Sequence, residues 1–545
     1  MRKPRLMYYS DAHHYHAKRI EPPTSIHRLQ WPVDELVGTG VDVLVYGLGY
    51  GDVYFHDSKV GRVVGQEKEV WENFIDWRIM CMVRDARKLG TDQVREVIKR
   101  GKEKGLTVFP SLKLQDQNEP GSERCGWLKW RRHEEVCLNE EDEARSRHKY
   151  CYDFANELVH EDKLNMVREI LADYEADGLE LDFMFYPDYF RAREVEKNIP
   201  VMNRFVGRVR KLANEIGKKQ GREIPICARV FDSREENLRI GLDLETWLKE
   251  KNIDLVVGQV SEQFTDTGMD VRWLADVANA AGVPAYIYVP RRIYDERMPF
   301  PSIEMYRALG QTLHWQGIAG MYLGYMPWPF SETEYQVLRE AADPDAHARS
   351  DKRYLLQPRE PALAREQLSD YGRVAPPPGK AVETFTRPPE RQLPVKLEEG
   401  KTARLTIFVA DDVDSARKDG EMRRPVLTIR FAFFCIEDEV EIRFNGVVLP
   451  LEKGEFNDER ALTIPVRVRE PIDAPLGMSA HWFRYWLPVD LLKRGENVLE
   501  VETKKMAKEA GFARSINGVE IQTRYKDWVR PEGIGGVPRI APRGT

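Results

Sequence analysis

Residues 177–190 read DGLELDFMFYPDYF. Leu179, Leu181 and Phe183 alternate there with Glu180, Asp182 and Met184, which is the two-residue period of an extended strand. The pair Asp177-Gly178 supplies a turn that opens it. On either side lie amphipathic helical segments, KLNMVREILADYEAD (163–177) and VMNRFVGRVRKLANEIGKK (201–219), and a second strand-like run, IPICARVF (224–231), follows. Strand, helix and strand in that order form the unit of a parallel sheet, because a parallel partner is reached only through a long crossover.

The unit recurs from residue 5 to about 340. RLMYYS (5–10), VDVLVYG (41–47), LTVFPS (106–111), GLELDFMF (178–185), IPICARVF, IDLVVGQV (253–260), VPAYIYV (283–289) and IAGMYLGY (318–325) are eight strand candidates. Eight βα units over this length match a (β/α)8 TIM barrel with loop insertions. A doubly wound sheet gives no reason for eight regular repeats, and no GxGxxG follows the first strand. Two connections are long, 48–91 and 114–160, and both leave strand C-termini, the face on which barrel sites form. They carry Trp71, Trp77, Trp127 and Trp130, readable as sugar-stacking walls or as small loop cores.

The barrel is assigned to residues 1–342. Residues 343–397 shift to Pro, Arg and Glu (LLQPREPALAREQ, APPPGK, RPPERQLP) and read as a linker. From 398 to 525, short alternating runs such as ARLTIFVADD, PVLTIRFAFF, DEVEIRFNGVVLPL, ALTIPVRV and INGVEIQTRY, broken by FNG, KRGEN and ING turns, predict an all-β sandwich of jelly-roll, galactose-binding-like form in an accessory role. Residues 526–545 form a tail. With 83 basic against 89 acidic residues and a net charge of −6, nothing attracts nucleic acid or an anionic membrane globally. Six scattered cysteines read as reduced thiols. No apolar run is long enough to cross a bilayer, so a cytoplasmic protein is expected, or a secreted or periplasmic one if a signal peptide has been removed.

In the fourth strand, alternation turns Leu179, Leu181 and Phe183 toward the helices and Glu180, Asp182 and Met184 toward the barrel axis. Two inward carboxylates need either compensating cations or a polar task. Arg229, inward on strand 5 with Cys227 and Phe231, is the expected partner. Glycoside hydrolysis needs two carboxylates to supply acid and nucleophile or base, so Asp182 and Glu180 are candidate catalytic residues. Glu262, in VGQVSEQ after strand 6, is the preferred third, as general acid, ahead of Asp232 in ARVFDS.

The block YEADGLELDFMFYPDYF resembles the strand-4 signature of TIM-barrel glycoside hydrolases, in particular the glycosyl-hydrolase-like-10 group. It is also similar to the DGxDxDxE strand of family-18 chitinases, where Asp177, Glu180 and Asp182 fall on the aspartate positions but Met184 replaces the essential glutamate, which argues against a chitinase mechanism. Against α-amylases and α-galactosidases, Asp182 fills the nucleophile position. The resemblance covers the barrel alone and implies a hydrolase of O-glycosidic bonds in an oligo- or polysaccharide, with Asp182 as nucleophile or charge-stabilising carboxylate.

Strand 1 ends in SDAHHYH, bringing Asp11, His13, His14 and His16 to one face. Such a cluster could bind a divalent ion, so a metal-dependent hydrolase is the alternative. Few histidines lie at other strand ends, and the primary reading has no metal and no cofactor. His13, His14, Lys113, Arg229, Gln259, Tyr288, Arg291, Tyr325 and Trp328 are candidate substrate-binding residues, because aromatic faces stack on pyranose rings and the polar groups bond hydroxyls. Lys113, Arg229 and Arg291 suggest an acidic sugar, or simply neutralise Glu180 and Asp182. The expected partner is a carbohydrate, with homo-oligomerisation left open. A catalytically silent sugar-binding barrel is the remaining reading.

Overall fold

The computed structural model describes residues 3–140, 148–259, 265–290, 293, 300–357, 392–435, 437–457 and 480–525. Eight parallel strands close into a barrel: β1 (Leu6–Ser10), β2 (Val43–Gly47), β3 (Thr107–Lys113), β4 (Leu179–Asp182), β5 (Ile226–Phe231), β6 (Leu255–Gln259), β7 (Ala285–Tyr288) and β8 (Gly320–Gly324). Each pairs with its neighbours in sequence, and β1 pairs with β8 to complete the ring. This is the TIM barrel that the eight strand candidates predict.

The alternation in the opening stretch is realised for as long as the strand lasts. Leu179, Leu181 and Phe183 join the apolar layer between strands and helices. The axis is filled by Met7, Tyr9, Val45, Phe109, Val257 and Tyr322 among others, in the layered manner of such barrels. Gly178 is required by packing, since a Cβ there would lie 2.5 Å from the Phe109 ring. The strand stops at Asp182, and Met184, two residues on, is buried in the larger apolar cluster, which also takes in loop residues such as Tyr50 and Phe55.

Both long connections carry structure of their own. The first contains a small three-stranded sheet (Gly49–Tyr50, Val53–Tyr54, Arg62–Val63) and a helix, Phe74–Lys88; the second contains the helix Trp127–Val136. Buried ion pairs fasten them: Lys163 donates to Asp52 at 2.5 Å and Lys129 to Asp116 at 2.8 Å. The Tyr152 hydroxyl also donates to Asp52, at 2.5 Å. Among the tryptophans of these loops, Trp127 and Trp130 enclose the Arg62 guanidinium, and Trp71 packs against the barrel's apolar layer.

Beyond the barrel, two antiparallel sheets form a β-sandwich. One runs through β9 (Lys352–Leu356), β18 (Ser515–Tyr525), β12 (Met422–Ala432), β16 (Ala480–Trp486) and β15 (Glu455–Asn457), with β10 (Val395–Lys396) also on β18. The other runs β11 (Thr402–Val409), β17 (Gly495–Lys505), β13 (Glu439–Phe444) and β14 (Val447–Leu449). Leu405, Ile407, Ile429, Phe444, Val501 and Ile521 lie in the shared core. The expected strand ALTIPVRV, the tail 526–545 and residues 358–391 lie outside the described residues.

The stretch 343–397 is more than a linker. It starts with the short helix Pro344–His347 and contains β9, which pairs along its whole length with β18. β9 also packs on the barrel helix Ile303–Trp315. The Leu355 amide donates to the Thr267 hydroxyl at 2.7 Å, and the Gln357 amide group donates to the Thr265 carbonyl at 2.6 Å. Five residues, KRYLL, amid Arg- and Pro-rich sequence give too short an alternation to register as a strand without their partner.

Candidate active site

The polar interior begins one rung below the mouth. On β4, Glu180 is fully enclosed, where its carboxylate accepts from the Ser111 hydroxyl at 2.7 Å and from the Tyr322 hydroxyl at 2.9 Å. Burial pushes its carboxyl up to about 7, against the attraction of Arg229 and with the help of the nearby Asp182 charge. Glu180 therefore holds a proton at or near neutrality. It lies one rung below Asp182, and both carboxylates are fully buried.

Asp182 ends the strand. Its Oδ1 accepts from the Met184 amide at 2.8 Å and from Arg229 Nε at 3.1 Å, and its Oδ2 accepts from the other arm of the same guanidinium. Register sets this up, because Asp182 on β4 lies opposite Arg229 on β5. The guanidinium is packed by the rings of Tyr9, Tyr288 and Tyr322, at 5.0, 5.9 and 5.9 Å. Burial works against its charge, but Asp182 more than compensates and keeps it protonated. The fork geometry fixes both partners.

A second polar centre lies where β1 ends. Asp11 caps the helix α1 (Ala12–Lys18), accepting from the His13 amide at 3.1 Å. Its other oxygen accepts from the Tyr325 hydroxyl at 3.1 Å and lies 3.7 Å from Lys113 Nζ and 3.9 Å from His14 Nδ1. Burial alone would raise the Asp11 carboxyl, but Lys113, His14 and His13 together hold it well below the usual carboxylate range. Burial depresses the His13 imidazole to about 3, leaving it neutral. His13 packs edge-on with Tyr50 at 5.2 Å, His14 edge-on with Tyr325 at 5.0 Å, and Lys113 Nζ lies 4.3 Å from the Phe185 ring centroid. Ligand atoms of Asp11, His13 and His14 all lie within 4.8 Å of one another, close enough to share one cation.

The fold thus gathers Asp182, Arg229 and Tyr288 into one group and His13, His14, Lys113 and Tyr325 into another. Gln259 ends β6, half-buried, and Asp232 is half-buried just beyond β5. Trp328 turns toward the outer flank, against Trp31 and the Arg19 guanidinium. Glu262 and Arg291 lie outside the described residues. Ser111, Tyr322 and Tyr9 complete the interior without having been singled out from the sequence. Alternation from Met7 points to Tyr9, and β3 register places Ser111 opposite Glu180, but register exists only once strands are paired.

A cavity of about 130 Å³ lies at the other end of the barrel, lined by residues that include Arg5, His314, Ile318 and Ala342. It is at the N-terminal end of the strands, the face associated with stability and not with chemistry.

No family model matches the sequence, and no curated protein matches it. Solved structures overlap the fold loosely. A Paenibacillus cycloisomaltooligosaccharide glucanotransferase is similar over 95% of this chain and 57% of its own, at 9% identity and a TM-score of 0.34. A GH138 enzyme targeting pectin rhamnogalacturonan II is similar over 63% of this chain and 47% of its own, at 14% identity and a TM-score of 0.39. An α-galactosidase from Thermus thermophilus is similar over 62% and 64%, at 17% identity and a TM-score of 0.35. The chain spans about half the length of the first two, and overlaps this loose carry no information about activity.

Proposed function

We propose that this chain is a glycoside hydrolase whose reaction takes place at the C-terminal mouth of the barrel, above Asp182. The observation that carries the reading is the carboxylate at the end of β4, buried and oriented by a two-pronged guanidinium. A polar and aromatic rim of His13, His14, Lys113, Tyr288 and Tyr325 accompanies it. Both Asp182 oxygens are already engaged, which favours a charge-stabilising role beside an oxocarbenium-like transition state over direct nucleophilic attack. Glu180, enclosed and proton-holding, supports the rung below. Glu262, three residues beyond the end of β6, is kept as the candidate general acid ahead of Asp232. Lys113 and Arg229 lie against Asp11 and Asp182, so the proposal does not extend to acidic sugars.

A metal-dependent hydrolase centred on Asp11, His13 and His14 is the second reading, favoured by the compactness of their ligand atoms. Against it, Lys113 already supplies a positive charge 3.7 Å from Asp11, which opposes a second cation there. The test is release of reducing sugar from a panel of neutral, uronic and sulfated glycans, with and without chelator. Turnover that survives chelator and is lost in Glu262→Gln supports the carboxylate mechanism. Turnover abolished by chelator and restored by a divalent ion moves the chemistry to β1.

A further inference from the structure

Three polar atoms near the mouth stand apart from the pairs described above. Tyr9 Oη, His13 Nε2 and Tyr50 Oη are enclosed, and among the described residues no group bonds any of them. Tyr9 and Tyr50 are only 1% and 3% exposed. Neighbouring tyrosines are satisfied, since Tyr322 donates to Glu180 and Tyr325 to Asp11. A buried hydroxyl that bonds to nothing in the protein costs the folded chain free energy, so its retention calls for a use.

Ring contacts join these residues into one arc. Tyr9, one residue before the end of β1, faces the barrel axis. The Arg229 guanidinium lies 5.0 Å from its ring centroid, and the Tyr325 ring 5.5 Å away. Tyr325 packs on His14, His14 on His13 at 5.3 Å, and His13 on Tyr50. The arc therefore runs from the Asp182–Arg229 pair past Asp11 to the β2 connection. Its cations already face carboxylates: Arg229 donates to both oxygens of Asp182, Lys113 lies 3.7 Å from Asp11, and Arg124 lies 3.4 Å from Asp76. What the arc holds ready for a ligand is two phenol hydroxyls and an imidazole nitrogen, which suit the donor and acceptor capacity of sugar hydroxyls. A uronate or sulfate would instead bring a further negative charge beside Asp11 and Asp182, where like charges repel.

We infer that Tyr9, His13 and Tyr50 are specificity-determining contacts of the mouth and that they select an uncharged sugar unit. This rests on the reading of the mouth as a glycan site and not on hydrolysis. The test is binding of the full chain to immobilised cello-, xylo- and galacto-oligosaccharides, against oligogalacturonates and sulfated carrageenan oligosaccharides, with urea unfolding and turnover measured alongside. Wild type is compared with Tyr9→Phe and Tyr50→Phe, which remove only a hydroxyl. The control is Tyr46→Phe, which removes another buried hydroxyl on β2, in the layer that faces away from the axis. The expected result is that at least one neutral series binds and neither acidic series does. Tyr9→Phe and Tyr50→Phe each weaken that binding about tenfold, with unfolding midpoints no lower than wild type, and Tyr46→Phe binds as wild type does. Preferential binding of an acidic series overturns the inference, as does absence of binding to every glycan. Undiminished binding by Tyr9→Phe and Tyr50→Phe, with lowered midpoints, also overturns it and assigns the two hydroxyls to holding the barrel together. Neutral-glycan binding weakened in both variants, without turnover of any glycan, upholds the selection and removes the hydrolase reading.

Discussion

Arg229 donates to both oxygens of Asp182 inside an enclosure of tyrosine rings, so each charge depends on the other for solvation. Arg229→Met leaves a carboxylate buried without its partner and is expected to cost about 3–5 kcal/mol. In the double variant Asp182→Leu/Arg229→Met the loss is expected to be much smaller than the sum of the single losses, since a packed apolar pair replaces both charges. Urea unfolding of the four proteins measures this, and additive losses would contradict it. Glu180 makes the opposite use of burial. With its carboxyl raised from 4.5 to about 7, the folded chain keeps a proton that the unfolded chain has already released. Stability therefore falls as pH rises through that interval, by at most about 1.4 kcal/mol per pH unit from this group. Glu180→Gln should gain on wild type above pH 7 and show no such gain below pH 4.5. A constant difference between the two melting profiles across this range would refute the assignment. The partnership of Asp182 with Arg229 was legible from alternation on two neighbouring strands. The depth of Glu180 was not, because alternation gives the face of a strand and not the height along the axis.

Among the elements, the eight barrel strands were legible because each is a β-branched or apolar run bounded by helical periodicity. β4 was read too long, since Phe183 and Met184 keep the alternation after pairing has ended at Asp182. β9 was missed altogether. Its stability comes from outside its own sequence: Lys352 is buried against Asp411 at 2.9 Å, and the hydroxyls of Tyr354 and Tyr525 donate to the same carboxylate at 3.1 and 2.9 Å. Burial lowers the Lys352 ammonium despite Asp411 and, more weakly, Asp351, so the lysine relies on Asp411 as its main counter-charge. Asp411→Ala is expected to destabilise the sandwich by about 3–5 kcal/mol, read by chemical denaturation. A loss below about 1 kcal/mol would mean that β9 is held by its backbone ladder alone.

At the scale of the molecule, β9 joins the two units, paired to the sandwich sheet and packed on the barrel helix Ile303–Trp315. Trp315 also meets Phe408 of β11, with ring centroids 4.9 Å apart. A fragment ending at residue 342 exposes that helix face, so it is expected to melt several degrees below the barrel transition of the full chain in calorimetry. An unchanged transition would show that the contact contributes little. Composition could announce a second unit but not this seam, which depends on side chains meeting across more than 90 residues, from Trp315 to Phe408. The central claim is that carbohydrate is cleaved above Asp182, and Asp182→Asn tests it most directly, because the amide keeps the shape and an acceptor for Arg229 while removing the charge. Measured on a glycan that the wild type cleaves, and with circular dichroism confirming the fold, the variant is predicted to bind the glycan while kcat falls at least about a hundredfold. A folded variant with wild-type kcat would contradict the account and place the chemistry elsewhere on the barrel mouth.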